Sequence, residues 1–147
     1  MTATSLQRKL KEICRRYHVD IMYAYGSRCH EIKDYIDGRG LLDRASPSDV
    51  DIGVRVSEGH HLPVRDKVNL TIELEDLFDV GRVDLVVLAG ADPFLAANII
   101  RGERLYAGDE YAADEYELYI LRRAGDLAYL ERERLALIFR EPLGGDL

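Results

Sequence analysis

The stretch "SDVDIGVRV", residues 48–56, constrains the fold of this 147-residue chain more than any other. From Asp49 onward it alternates. Val50, Ile52, Val54 and Val56 fall on one face; Asp49, Asp51, Gly53 and Arg55 fall on the other. A period of two is the signature of a strand with one buried face. Such a strand requires a sheet and a layer packed against its apolar side. Aspartate is poorly suited to a strand, and two carboxylates at i and i+2 point the same way, about 7 Å apart along the backbone. Their repulsion has to be offset by something.

The surrounding pattern supplies the layers. Residues 4–18 read as a helix, with Leu6, Leu10, Ile13 and Tyr17 on one face and Thr4 or Ser5 as its cap. "DIMYAY", Asp20 to Tyr25, reads as a strand that Gly26-Ser27 ends. A helix is predicted from Ser27 through "RCHEIKDYID", followed by a polar loop. Val64 to Phe78 shows helical spacing through Val64, Val68, Ile72, Leu74, Leu77 and Phe78. "RVDLVVLAG" reads as a nearly continuous apolar, buried strand. "FLAANIIRG" is a short helix, "ERLYAGD" an extended connector, and the C-terminal helix spans about 111–140, its leucine stripe assigned to the core, with a remaining part open to a partner surface. The tail "EPLGGDL" is expected to fray. The result is an α/β (α+β) domain over residues 1–147: a small mixed sheet of about three to four strands with helices packed against it.

The net charge of −7 argues against a general nucleic-acid binder, whose affinity comes from Lys and Arg on phosphates. It leaves room for a nucleotide site, because a cation can screen a local anionic cluster. Two cysteines, Cys14 and Cys29, give no CxxC motif or disulfide framework, which points to the reducing cytoplasm. No apolar run approaches a membrane span. The histidines show no ligand spacing.

Asp49 and Asp51 suit a hard divalent cation with oxygen ligands; Mg²⁺ is commonly held by one or two carboxylates plus substrate phosphates. Asp84, entering the strand "VDLVVL", is costly there unless paired, hydrogen-bonded or metal-bound. If that strand lies beside Asp49 and Asp51, three carboxylates meet, an arrangement for two-metal phosphoryl or nucleotidyl transfer. Gly26 lets a phosphate approach the backbone, and Ser27 adds a hydroxyl and an N–H at a helix start. Each residue has a plainer reading: a solvated edge strand for Asp49 and Asp51, an ion pair with Arg82 for Asp84, a helix cap for Ser27.

Together, "GSR", "SDVDIGV" and "RVDLVVL" resemble the nucleotidyltransferase superfamily of the DNA polymerase β type. More narrowly, the short chain resembles the prokaryotic minimal nucleotidyltransferases (MNT proteins), and "NIIRGERLY" is similar to what those carry after the third aspartate. The likeness covers roughly residues 20–107 and, more weakly, the final helix. It implies that Gly26 and Ser27 hold the triphosphate of ATP, with Arg28 in a supporting phosphate role. It implies that Asp49 and Asp51 bind two Mg²⁺ ions, and that Asp84 shares a metal and helps deprotonate the attacking hydroxyl. The implied reaction moves AMP to a hydroxyl. The implied partner is a HEPN-domain toxin whose tyrosine is modified by the MNT antitoxin, and a homo-oligomer stays open. A non-catalytic antitoxin acting by contact, and an antibiotic-type nucleotidyltransferase, are the alternatives. One feature departs from the pattern: the 21 residues Arg28 to Ser48 between the Ser and the first Asp exceed the usual span.

Overall fold

The computed structural model describes residues 3–144, with the backbone alone for residues 140–144. Helix α1 (Ser5–Arg16) is capped by Thr4. The Thr4 hydroxyl accepts from the Gln7 backbone N–H at 3.0 Å while the Gln7 side-chain Oε1 accepts from the Thr4 N–H at 2.8 Å. This reciprocal capping satisfies two donors that a helix start leaves open. Thr4 also donates to the Ile36 carbonyl, which ties α1 to the end of α2 (Cys29–Ile36).

The strands are β1 (Val19–Tyr25), β2 (Val50–Val56), β3 (Val83–Val87) and β4 (Glu103–Ala107). They form one mixed sheet in the order β3-β2-β1-β4. β1 runs antiparallel to β2 and β4, and β2 runs parallel to β3. Helices cover both faces. Leu10 and Ile13 of α1, Ile32 and Ile36 of α2, and Leu70, Leu74 and Phe78 of α3 (Val64–Phe78) pack on Met22, Ala24, Val50, Ile52 and Val54. The opposite face, with Ile21, Tyr23 and Tyr25, meets Ala96, Ala97 and Ile99 of α4 (Pro93–Ile100) and Ala113, Ile120 and Ala124 of α5 (Glu110–Gly144). The valine-isoleucine face of β2 is therefore core, as its alternation predicts. Its other face is not simply solvated: a Cβ at Gly53 would collide with Ile99, so the glycine lets α4 lie directly on the strand.

Three expectations need correcting. "ERLYAGD" is not a bare connector; Glu103–Ala107 pairs with β1 as an edge strand. β3 keeps the apolar, buried character expected of it, with Val83 and Leu85 buried and Val86 and Val87 half-buried. It is the other edge, and its apolarity comes from cover on both faces, with Leu85 in one core and Val86 against the other. On α3, Leu70, Leu74 and Phe78 are buried, whereas Val64, Val68 and Ile72 are exposed. On α5 Leu127, Leu130, Leu135 and Leu137 are exposed, so the helix leaves the domain and this stretch of the stripe is not core. The same helix continues through Gly144, into the tail expected to fray; residues 145–147 lie outside the described residues. No helix among the described residues is long and apolar enough to cross a membrane.

Candidate active site

The strand pairing brings the key residues to one end of the sheet. Tyr25, the last residue of β1, pairs with Asp51, and Asp51 pairs with Asp84. Directly paired residues project from the same face, and neighbouring strands lie about 4.8 Å apart. Asp51 and Asp84 are thus side by side, and Asp49 immediately precedes β2. β2 sits between β3 and β1, so the solvated-edge reading does not hold for Asp51.

The glycine-serine turn adjoins this row. Gly26 has φ +77°, a left-handed conformation that disfavours any side chain, and it opens a 3₁₀ turn over Gly26–Arg28. A Cβ at Gly26 would stand 2.5 Å from Asp51 Oδ2. The backbone expected to cradle phosphate therefore touches the carboxylate expected to hold metal. Gly26 and Ser27 are both exposed. Ser27 does not cap α2; Arg28 occupies the position before that helix and no side chain caps it.

Electrostatically Asp51 and Asp84 are uncompensated. Burial raises the Asp51 carboxyl above its ordinary range, and the charges of Asp84 and then Asp49 add to the effect. Burial, then Asp51 and Asp84, likewise push up the Tyr25 phenol, which stays protonated. Arg82 Nε lies 3.3 Å from Asp49 Oδ2, so Arg82 serves Asp49 rather than Asp84. Among the described residues neither Asp51 nor Asp84 enters an ion pair. Nor do three His, Cys, Asp or Glu side chains among the described residues close into a ready-made metal cage. The donor set nonetheless suits a hard divalent ion: oxygen ligands only, adjacent like charges, and no protein cation on two of them.

Arg28 takes a different place from the phosphate contact implied for it. It is 6% exposed. Its Nε and Nη2 donate to the two carboxylate oxygens of Glu31 at 2.9 and 2.8 Å, Nη1 donates to the Ser48 carbonyl, and Nη2 also donates to the Asp43 carbonyl. Glu31 in turn accepts the Asp43 N–H at 2.6 Å. The hydrogen bond from Arg28 holds the Glu31 carboxyl below its ordinary range. This clamp folds the loop after α2 back onto the site and fixes Ser48, the residue before Asp49. Leu42, buried in the core, anchors the loop between the two ends. The long span from Arg28 to Ser48 is thereby absorbed as helix and pinned loop, with the turn and the acids still adjacent. Beside Asp49 the same loop helps form a small cleft lined by Arg44, Ser46, Ser48 and Arg82. The Arg28–Glu31 spacing of three, on a helix start, is the signal that would have disclosed the clamp.

A family model described as "Polymerase beta, Nucleotidyltransferase" matches residues 8–111, more than half of the chain. Three solved structures of toxin–antitoxin complexes share the fold. One is a toxin–antitoxin with AMP-PNP, at 21% identity and TM-score 0.59, covering 91% of this chain and 96% of that one. Another is a tri-AMPylated Shewanella oneidensis HEPN toxin in complex with MNT antitoxin, at 20% identity and TM-score 0.58, covering 92% and 94%. The third is the toxin–antitoxin MntA–HepT, at 19% identity and TM-score 0.58, covering 92% and 95%. No curated protein matches the chain.

Proposed function

Because the chain belongs to the Polymerase beta, Nucleotidyltransferase family, we propose that it transfers AMP from ATP to a hydroxyl of a protein acceptor, a tyrosine of a HEPN-domain toxin that it neutralises in the cytoplasm. The observation that carries this reading is the contact of the Gly26 backbone with Asp51, itself in register with Asp84. One nucleotide can place its phosphates on the turn and its reacting phosphorus before the acids. The fold shared with complexes described as holding AMP-PNP and an AMPylated HEPN toxin supports the nucleotide and the partner.

Gly26 and Ser27 bind the triphosphate through backbone N–H groups and the Ser27 hydroxyl. Asp49, Asp51 and Asp84 would hold the divalent ions, Mg²⁺, which neutralise the phosphate charge when bound. The acceptor hydroxyl attacks the α-phosphorus; a P–O bond forms, the bond to the bridging oxygen breaks, and pyrophosphate leaves. Asp84, the exposed member of the row, accepts the hydroxyl proton. Arg28 keeps Asp49 in place through Ser48, a positioning task. Once the nucleotide and the acceptor hydroxyl are aligned, most of the catalytic effect comes from positioning and charge.

The test is incubation with ATP labelled at the α-phosphate, Mg²⁺ and a HEPN toxin. Label should appear on the toxin with the wild type and vanish with Asp51→Asn and Asp84→Asn. Neutralisation of the toxin by those variants, undiminished and without label, would instead identify an antitoxin acting by contact.

A further inference from the structure

Helix α5 carries one heptad seam out of the domain. Positions 113, 117, 120, 124, 127, 131, 134 and 138 recur at steps of four and three and share a face. The first half of the seam is covered by the chain itself: Ala113, Ile120 and Ala124 are buried. The second half consists of Leu127, Glu131, Arg134 and Ile138, flanked by Leu130 and Leu135, and all six are exposed, Leu130 by 59% and Ile138 by 47%. The ion pair of Glu131 with Arg134, at 2.5 Å, places those two charges side by side on that face. A helix with this much apolar surface calls for cover.

The sequence specifies the cover. Residues 127–138 read "LAYLERERLALI". Read from both ends towards a point between Arg132 and Glu133, Leu127 meets Ile138, Ala128 meets Leu137, Tyr129 meets Ala136 and Leu130 meets Leu135. Glu131 meets Arg134, and Arg132 meets Glu133. Every apolar residue maps onto an apolar one and every charge onto its opposite. The surface that complements this arm is therefore the same arm running the other way. A parallel pairing in register would set Glu131 against Glu131 and Arg134 against Arg134, which is repulsive.

We propose that residues 127–138 of two copies of this chain pair antiparallel about a two-fold axis, forming a homodimer through the projecting arm of α5. The interface is isologous, so each contact occurs twice. Leu127 packs on Ile138 of the second copy at the outer layers, and Glu131 pairs with Arg134 of the second copy at the inner ones. The inner charges fix direction and register, as a polar seam position does in coiled coils. This inference is independent of the transferase reading.

Charge swapping tests it. One variant, Arg132→Glu with Arg134→Glu, makes the centre of the arm acidic; another, Glu131→Arg with Glu133→Arg, makes it basic. Sedimentation equilibrium of the full-length proteins should give the mass of two chains for the wild type and of one chain for each variant alone. An equimolar mixture of the two variants should recover the mass of two chains. Circular dichroism checks that the arms stay helical. A one-chain mass for the wild type at every concentration would overturn the proposal and leave the arm to a different partner. Helical variants that dimerise alone, or that fail to associate when mixed, would overturn it as well.

Discussion

Two acidic clusters meet this sheet on the same face, and the protein treats them oppositely. At one, Glu110, Asp114 and Glu117 of α5 converge on Arg104 of β4, at 2.5, 2.8 and 2.6 Å. Burial works against the Arg104 charge, but its hydrogen bonds to the three acids overcome that and hold it above its ordinary range. Glu117 also accepts from the Tyr23 hydroxyl at 2.7 Å, so the clasp joins β4, β1 and α5. At the other cluster, Asp51 and Asp84 stand in register with no cation of the chain paired to either. Where acids have a structural task, the fold supplies the counter-charge. Where it supplies none, an arriving cation would meet two carboxylates already in register, as the proposed reaction requires. The difference sets a structural acidic cluster apart from the one proposed to carry the chemistry.

The largest effect that sharpens this contrast is on activity. Asp51→Asn or Asp84→Asn should cost at least about 100-fold in the rate of AMP transfer, the scale of losing one charge-stabilising group at a reacting centre. Arg104→Ala should leave the rate per folded molecule near wild type. Quantified label transfer in single-turnover conditions reads both. Equal losses in all three variants would erase the distinction.

The next effect is on stability and runs the other way. Arg104→Ala leaves Glu117 and the Tyr23 hydroxyl around an empty place and should cost about 2 kcal/mol, the range for hydrogen bonds to charged groups. Arg104→Lys should recover only part of it, because an ammonium cannot reproduce the guanidinium fork. Urea unfolding measures both. Mg²⁺ then discriminates between the clusters. At ten times its dissociation constant it should stabilise the wild type by about 1.4 kcal/mol. That gain should persist in Arg104→Ala and disappear in Asp51→Asn.

The contrast was partly legible in the sequence. The alternation from Asp49 to Val56 disclosed a strand, its buried face and two acids sharing the other. Gly26-Ser27 disclosed a turn at the end of a strand. That Asp84 would stand beside Asp51 depended on which strands pair, and spacing within one strand carries no information about its neighbour. β4 is hard to read as a strand because its five residues, with Glu and Arg at the start, show little alternation, and pairing with β1 decides their conformation. Arg28 looked like a phosphate ligand because its task depends on Glu31 and on a loop that folds back from residue 43. The α3 and α5 stripes show the same limit. Apolar spacing reveals a helix face, but what covers it is settled by the length of the helix against the size of the domain.

The smallest effect concerns acid. In the folded chain the Asp51 carboxyl lies above its ordinary value of 3.8, so the folded state binds that proton more tightly than the unfolded state. Its contribution to stability is complete below pH 3.8 and is lost as the pH rises through the folded value. Glu31, held below its ordinary value of 4.5 by Arg28, behaves in reverse: its contribution is complete above 4.5 and is lost as the pH falls through the folded value. Urea unfolding from neutrality downward should therefore show Asp51→Asn gaining about 0.2–1 kcal/mol at neutral pH, the scale of relieving like charges on paired strands. The same variant should then lose stability more steeply with acid than the wild type, because Asp51 no longer offsets the other carboxylates. Glu31→Gln should start less stable and fall more gently. Mg²⁺ should steepen the wild-type acid limb, since a carboxylate bound to a cation resists its proton. An acid limb indifferent to Mg²⁺ would mean that the bare row is not where the cation goes.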